Sequence, residues 1–254
     1  MGYSVDLSAK IKTYYKFPKP ELYGFIAVIA ILSFIISFSE WGKDEFNFAI
    51  GIFNWFNSAL IVTFVLLIHN FVQRVAGWNK GYNVEYKAWL TGLFIGVIAV
   101  FLTRGRIWVL LPGGIMIHHL TGHRLGHFRY GLNYFQHGMI SVAGPISLIS
   151  LAIVFKALNE ALSNSLISKM VTFCVVLAIY EILPIPPLDG SKLFFGSRMA
   201  YVFFLSTIII AGILILADAN PLMTIIGSLI VGLILWLLYY IFFERKVWGG
   251  PWAK

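Results

Sequence analysis

Along the chain, long apolar runs alternate with short polar breaks, and most breaks hold a charge. The runs are Leu22 to Ser39, bounded by Glu21 and Glu40; Phe46 to Gln73, uncharged for 28 residues; Ala88 to Thr103; Ile140 to Phe155; Met170 to Leu188; Met199 to Ala217; and Ala219 to Phe243. Apolar stretches of this kind mark helices that cross a membrane, because a helix satisfies its own backbone where water cannot. As one helix the second run would be about 42 Å long. That exceeds a hydrocarbon core of ~30 Å, so tilt, or a break near Asn54 and Asn57, is expected. Ile107 to Ile117 is apolar but short and interrupted by Pro112-Gly113-Gly114. It predicts a re-entrant strand or hairpin rather than a span. The pattern predicts an all-α polytopic membrane protein of six or seven transmembrane helices with a short re-entrant hairpin.

Composition agrees. Of 254 residues, 59% are hydrophobic and 12% charged, with mean hydropathy +0.83, whereas soluble domains carry roughly 25% charged residues. A water-soluble globule, disorder, collagen, a coiled coil and a disulfide scaffold are excluded. Cys174 is the single cysteine and cannot form an internal disulfide. The net charge of +8 reads as topology-setting loops rather than nucleic-acid binding. With the N-terminal arm cytoplasmic, 14 Lys and Arg fall inside and five outside, namely Lys43, Arg104, Arg106, Lys156 and Lys169. That split predicts both termini in the cytoplasm, for an even number of spans. Met1 to Pro20 has no signal-peptide apolar region or cleavage pattern and reads as a retained basic arm. No repeat or linker divides the chain, so residues 1–254 read as one membrane domain.

Charges inside apolar runs are costly and usually functional. Glu181 and Asp189 lie in such a run, Tyr180 to Gly190, whose three prolines forbid a continuous helix. Broken backbone at membrane depth needs surrounding protein or a water-filled cavity. A carboxylate facing a buried polar site therefore competes with a plain span end capped by Asp189. A second polar group, His69-Asn70-Phe71-Val72-Gln73, ends the long second run, with positions 69 and 73 on one helical face.

The segment from Leu183 to Gly190, Leu-Pro-Ile-Pro-Pro-Leu-Asp-Gly, resembles the second signature of the site-2 protease family of intramembrane zinc metalloproteases. Ala143-Gly144-Pro145 resembles that family's small-residue element. His69 to Gln73 falls where the family has its His-Glu-x-x-His helix, and Pro112-Gly113-Gly114 matches a family hairpin. Order and spacing agree from about residue 60 to 198, leaving the first span and the two C-terminal spans (199–243) outside the shared core.

The resemblance implies zinc held by two histidines and the aspartate, with the glutamate as general base. His69 and Asp189 carry over as ligands. Asn70 stands at the base position, where a carboxamide cannot take a proton. Gln73 stands at the second histidine as a vestigial ligand, since an amide oxygen is a poor zinc donor beside imidazole. Glu181 stands where the family has Asn, as though Glu and Asn had been exchanged between motifs, and is the one candidate for a relocated base. These departures imply a degenerate site-2-protease-like protein, with zinc either retained or lost. It would bind transmembrane helices of other proteins in the lipid bilayer as a regulator, adaptor or complex subunit, in the cell membrane of a prokaryote. An active metalloprotease using Glu181 and a transport or proton-handling protein remain as alternatives. Close approach of His69, Asn70 and Gln73 to Asp189 is expected.

Five of the six histidines lie between His118 and His137. On a helix His119, His123 and His127 would recur every fourth residue, and an i, i+4 pair can share a metal. The first and third would be about 12 Å apart, so one straight helix cannot give all three to one ion. A second metal cluster and an interfacial loop both fit.

Overall fold

The computed structural model describes residues 9–42, 46–119 and 133–245, without the side chain of His119. Helix α1 (Lys19–Ser37) begins at a proline pair, Pro18 and Pro20, whose missing N–H groups cost nothing in a first turn. A 3₁₀ turn, Phe38–Glu40, ends it. Asn47 caps α2 (Phe48–Asn79) by accepting from the N–H groups of Ala49 and Ile50. At 32 residues α2 is one uninterrupted helix. Of the two expectations, tilt or a break near Asn54 and Asn57, the break does not occur. The Asn54 amide instead donates to the Glu40 carbonyl, at 2.8 Å.

Next come β1 (Tyr82–Ala88), α3 (Leu90–Leu102) and β2 (Gly113–His119). Helix α3 has 13 residues, roughly 20 Å of rise, so the span expected over Ala88 to Thr103 is too short to cross by itself. Asn133 and Asn164 cap α4 (Tyr134–Leu162) and α5 (Ser165–Glu181). The run expected to continue to Leu188 stops as a helix at Glu181, since Pro184, Pro186 and Pro187 follow. Short α6 (Asp189–Gly196) leads to α7 (Arg198–Leu216), and α8 (Pro221–Tyr239) ends in a π-helical turn, Tyr240–Glu244.

Among the described residues five helices are long and apolar enough to cross a membrane: Lys19–Glu40, Phe48–Asn79, Tyr134–Leu162, Arg198–Leu216 and Pro221–Glu244. This is a helical membrane protein. The core lies where α1, α2, α4, α5 and α7 meet, around Val28, Leu32, Val65, Leu148, Phe173 and Leu177.

One element escaped the apolar pattern. The Pro112-Gly113-Gly114 segment takes the first of the two forms expected for it, a strand rather than a hairpin. Its strand β2 pairs antiparallel with β1, in register from Tyr82 opposite His119 to Ala88 opposite Gly113. Alternation explains β1: Tyr82, Val84 and Tyr86 point inward, and the residues between them outward. The protein is therefore helical with a two-stranded insert.

Candidate metal centre

Four segments deliver the polar residues. His69, Asn70 and Gln73 lie on the buried face of α2, Ser141 and Gly144 on α4, Glu181 at the end of α5 and Asp189 at the start of α6. Two glycines allow the approach. A Cβ on Gly190 would collide with the Ile182 carbonyl, so glycine after Asp189 lets α6 start directly beneath the end of α5. A Cβ on Gly144 would occupy the spot that the His69 and Gln73 side chains fill.

One donor atom from each of His69, Glu181 and Asp189 lies within 4.8 Å of the others. All three residues are buried. His69 Nε2 sits 2.7 Å from Glu181 Oε2, ion-pair distance for a protonated imidazole. The imidazole nitrogen and the carboxylate oxygens are close enough to share one metal ion in place of a proton.

Asp189 is held from three sides. The Ile115 N–H of β2 donates to its Oδ1 at 3.1 Å, and the Lys192 ammonium approaches the same oxygen at 3.2 Å. The Gln73 amide donates to Oδ2 and, at 3.2 Å, to the Ser141 carbonyl. Gln73 Oε1 and Ser141 Oγ remain buried without partners. Orphaned polar atoms cost about 1–3 kcal/mol each, so several in one place suit a bound cation or water.

Asn70 belongs to a different network. Its Oδ1 accepts from Arg74 Nε at 2.7 Å. Arg74 also pairs with Glu21, donates to the Lys16 carbonyl at 3.0 Å and lies 4.5 Å over the Phe17 ring. Glu21 accepts in turn from the Tyr86 N–H at 2.9 Å. Tyr86 and Ile115 are opposite each other in the sheet. Their outward N–H groups are thus capped by two buried carboxylates, Glu21 on one side and Asp189 on the other. Burial, reinforced by the Glu181 and Asp189 carboxylates, pushes the Tyr86 phenol well above its ordinary pKa. It stays a donor, to the Pro112 carbonyl at 2.8 Å.

The structure thus brings His69, Gln73, Glu181 and Asp189 together and ties the Asn70 amide oxygen to Arg74. Ser141, Lys192, Glu21 and Arg74 complete these networks, and the apolar pattern does not single them out. Glu21 and Arg74 stood at run ends, where charges normally meet water. His123 and His127 lie outside the described residues. His119 is placed only by its backbone at the end of β2, so the second metal cluster falls outside what is described.

No family model matches the chain, and no solved structure matches it. A protein of Methanocaldococcus jannaschii, named provisionally as a zinc metalloprotease, is 27% identical over 183 residues, covering 70% of this chain and 85% of that protein. That likeness and the apolar helices fit a membrane protein of metalloprotease type.

The donor set suits a divalent cation. Among the described residues it offers one imidazole and two carboxylates, all buried. With the imidazole neutral, as a metal ligand must be, two buried carboxylates face one ammonium, Lys192, and a cation would balance the remaining charge.

Proposed function

We propose that this chain is a membrane-embedded metalloprotease-like protein whose His69, Glu181 and Asp189 hold one divalent metal ion. It binds transmembrane segments of other proteins without cleaving them at an enzyme's rate, as a regulator, adaptor or complex subunit. The observation that carries this is the convergence of the three buried donors on one point. Zinc is the ion in the archaeal relative's name, and that relative also favours a prokaryotic cell membrane. When bound, the metal supplies Lewis acidity toward a carbonyl oxygen.

The chain's own groups do the rest. Ile115 N–H and Lys192 orient Asp189, Gln73 holds its second oxygen, and Gly144 leaves room for His69 and Gln73. Hydrolysis also needs a free base within hydrogen-bond reach of the attacking water. Asn70 is a carboxamide tied to Arg74, and a Glu181 that ligates metal is not free to take the proton.

The test measures metal content and cleavage of a reporter transmembrane substrate by the native protein and Glu181→Gln. Stoichiometric metal, no cleavage, and loss of metal in Glu181→Gln are expected. A specific observation favours a second reading: a buried Glu181 Oε2 lying 2.7 Å from His69 Nε2 would also suit a base. Native cleavage that vanishes in Glu181→Gln while the metal is retained would establish that reading instead.

A further inference from the structure

The centre differs from a nitrogen-rich zinc site in one respect that bears on which ion it takes. Among the described residues one imidazole nitrogen, from His69, faces the cluster. Glu181 and Asp189 contribute oxygens. Gln73, on the same face of α2 one turn after His69, turns its N–H toward Asp189 and offers no nitrogen lone pair. Its free atom is an amide oxygen, buried and unpartnered.

We propose that this one-imidazole, two-carboxylate centre discriminates weakly between zinc and oxygen-preferring divalent ions of the Mn²⁺ class, and that Gln73 sets this selectivity. The proposal rests on the reading above that the cluster binds a metal.

The reason lies in ligand type. Zinc binds most N, O and S sites more tightly than Mn²⁺, but imidazole and thiolate donors favour zinc, whereas carboxylate, carbonyl and water suit Mg²⁺, Ca²⁺ and Mn²⁺. Each nitrogen exchanged for oxygen removes part of zinc's advantage and none of manganese's. Carboxylates that chelate through one or both oxygens also tolerate the higher coordination numbers of the harder ions. Position 73 is where a nitrogen could have been added. Gln73 and His69 both border the spot left open by Gly144, so an imidazole at 73 would sit beside the first one. With Gln there, the second nitrogen is replaced by a group that steadies Asp189.

The measurement is a metal-buffered competition between Zn²⁺ and Mn²⁺ on the full-length chain in detergent micelles, after stripping with a chelator. Native protein is compared with Gln73→His. Native protein is expected to bind both ions. Gln73→His is expected to raise the zinc-over-manganese ratio by about tenfold or more, the lower edge of what a single neighbour of a metal ligand achieves. Most of that change should come from tighter zinc binding. An unchanged ratio, or a native chain that takes zinc and no Mn²⁺ at all, overturns the inference while leaving the metal reading intact. A native chain that binds neither ion overturns the metal reading, and the inference with it. If Gln73→His does not fold, Glu181→His makes the same oxygen-to-nitrogen exchange at a second ligand and must shift the ratio the same way. The native measurement stands without either variant.

Discussion

The layer around His69 and the pair of C-terminal helices face the same membrane and solve it in opposite ways. In α4, 50% of the most apolar stretch is buried inside the protein; in α8 the share is 11%. Helix α4 packs into the core through Val142, Leu148 and Ala152, and beside it the polar and charged groups of α2, α5, α6 and β2 converge. Between α7 and α8 they are made by small residues: Thr224, Ser228 and Gly232 are the buried positions of α8, and Gly232 packs on Thr207. The difference is instructive. Lipid is as apolar as leucine, so the outer pair gains little from hydrophobic burial and relies on close backbone approach. The inner layer buries charges whose only acceptable environment is each other.

That contrast can be broken by mutation, and the largest effect is expected at Arg74. Arg74→Ala strands Glu21 and Asn70 in the interior. Breaking a buried pair this way costs about 3–5 kcal/mol, to be read from unfolding in detergent. A loss under 1 kcal/mol would mean that the network is ornamental.

Next are matched glycine replacements. Gly144→Ala drives a methyl into His69 and Gln73, both locked in the cluster, and should cost about 1–3 kcal/mol together with metal binding. Gly232→Ala meets chiefly the Thr207 hydroxyl, which can rotate away. Equal destabilisation of the two would erase the distinction between the regions.

Restoring the expected base is a third test. In Asn70→Glu the new carboxylate lies where Arg74 already donates, so it forms an ion pair and no peptide hydrolysis appears. Asn70→Glu with Arg74→Met frees that carboxylate and sharpens the test. If the single variant by itself recovers the ~10²–10⁴-fold that a general base contributes, Arg74 does not hold position 70 in check.

The smallest effect is expected in the outer pair. Ser228→Ala removes a hydroxyl that bonds within its own helix. The change should fall below the ~0.6 kcal/mol average for hydrogen bonds made across membrane helices, measured by the same unfolding assay.

Several of these features could be read along the chain. The apolar runs located the helices, and the prolines after Glu181 showed that the run to Leu188 could not be one helix. His69, Gln73, Glu181 and Asp189 stood out because each interrupts or borders an apolar segment. Strand β1 did not stand out. Its polar positions, Asn83, Glu85 and Lys87, look like an ordinary loop until β2 supplies the partner that makes alternation meaningful. Nor did Glu21 and Arg74, separated by more than fifty residues, show that they meet.

What the sequence by itself determined is therefore the membrane class, the long helices and the identity of the polar intruders. Apolar length and backbone self-satisfaction are local properties, set by neighbours along the chain. Which intruders meet was decided only in three dimensions. The α2 helix places His69 and Asn70 about 100° apart around its axis. From there, packing sent one toward Glu181 and the other toward Arg74. A charge in a low-dielectric interior is stabilised by whatever partner the fold brings within a few ångströms, and that distance is not written in sequence separation.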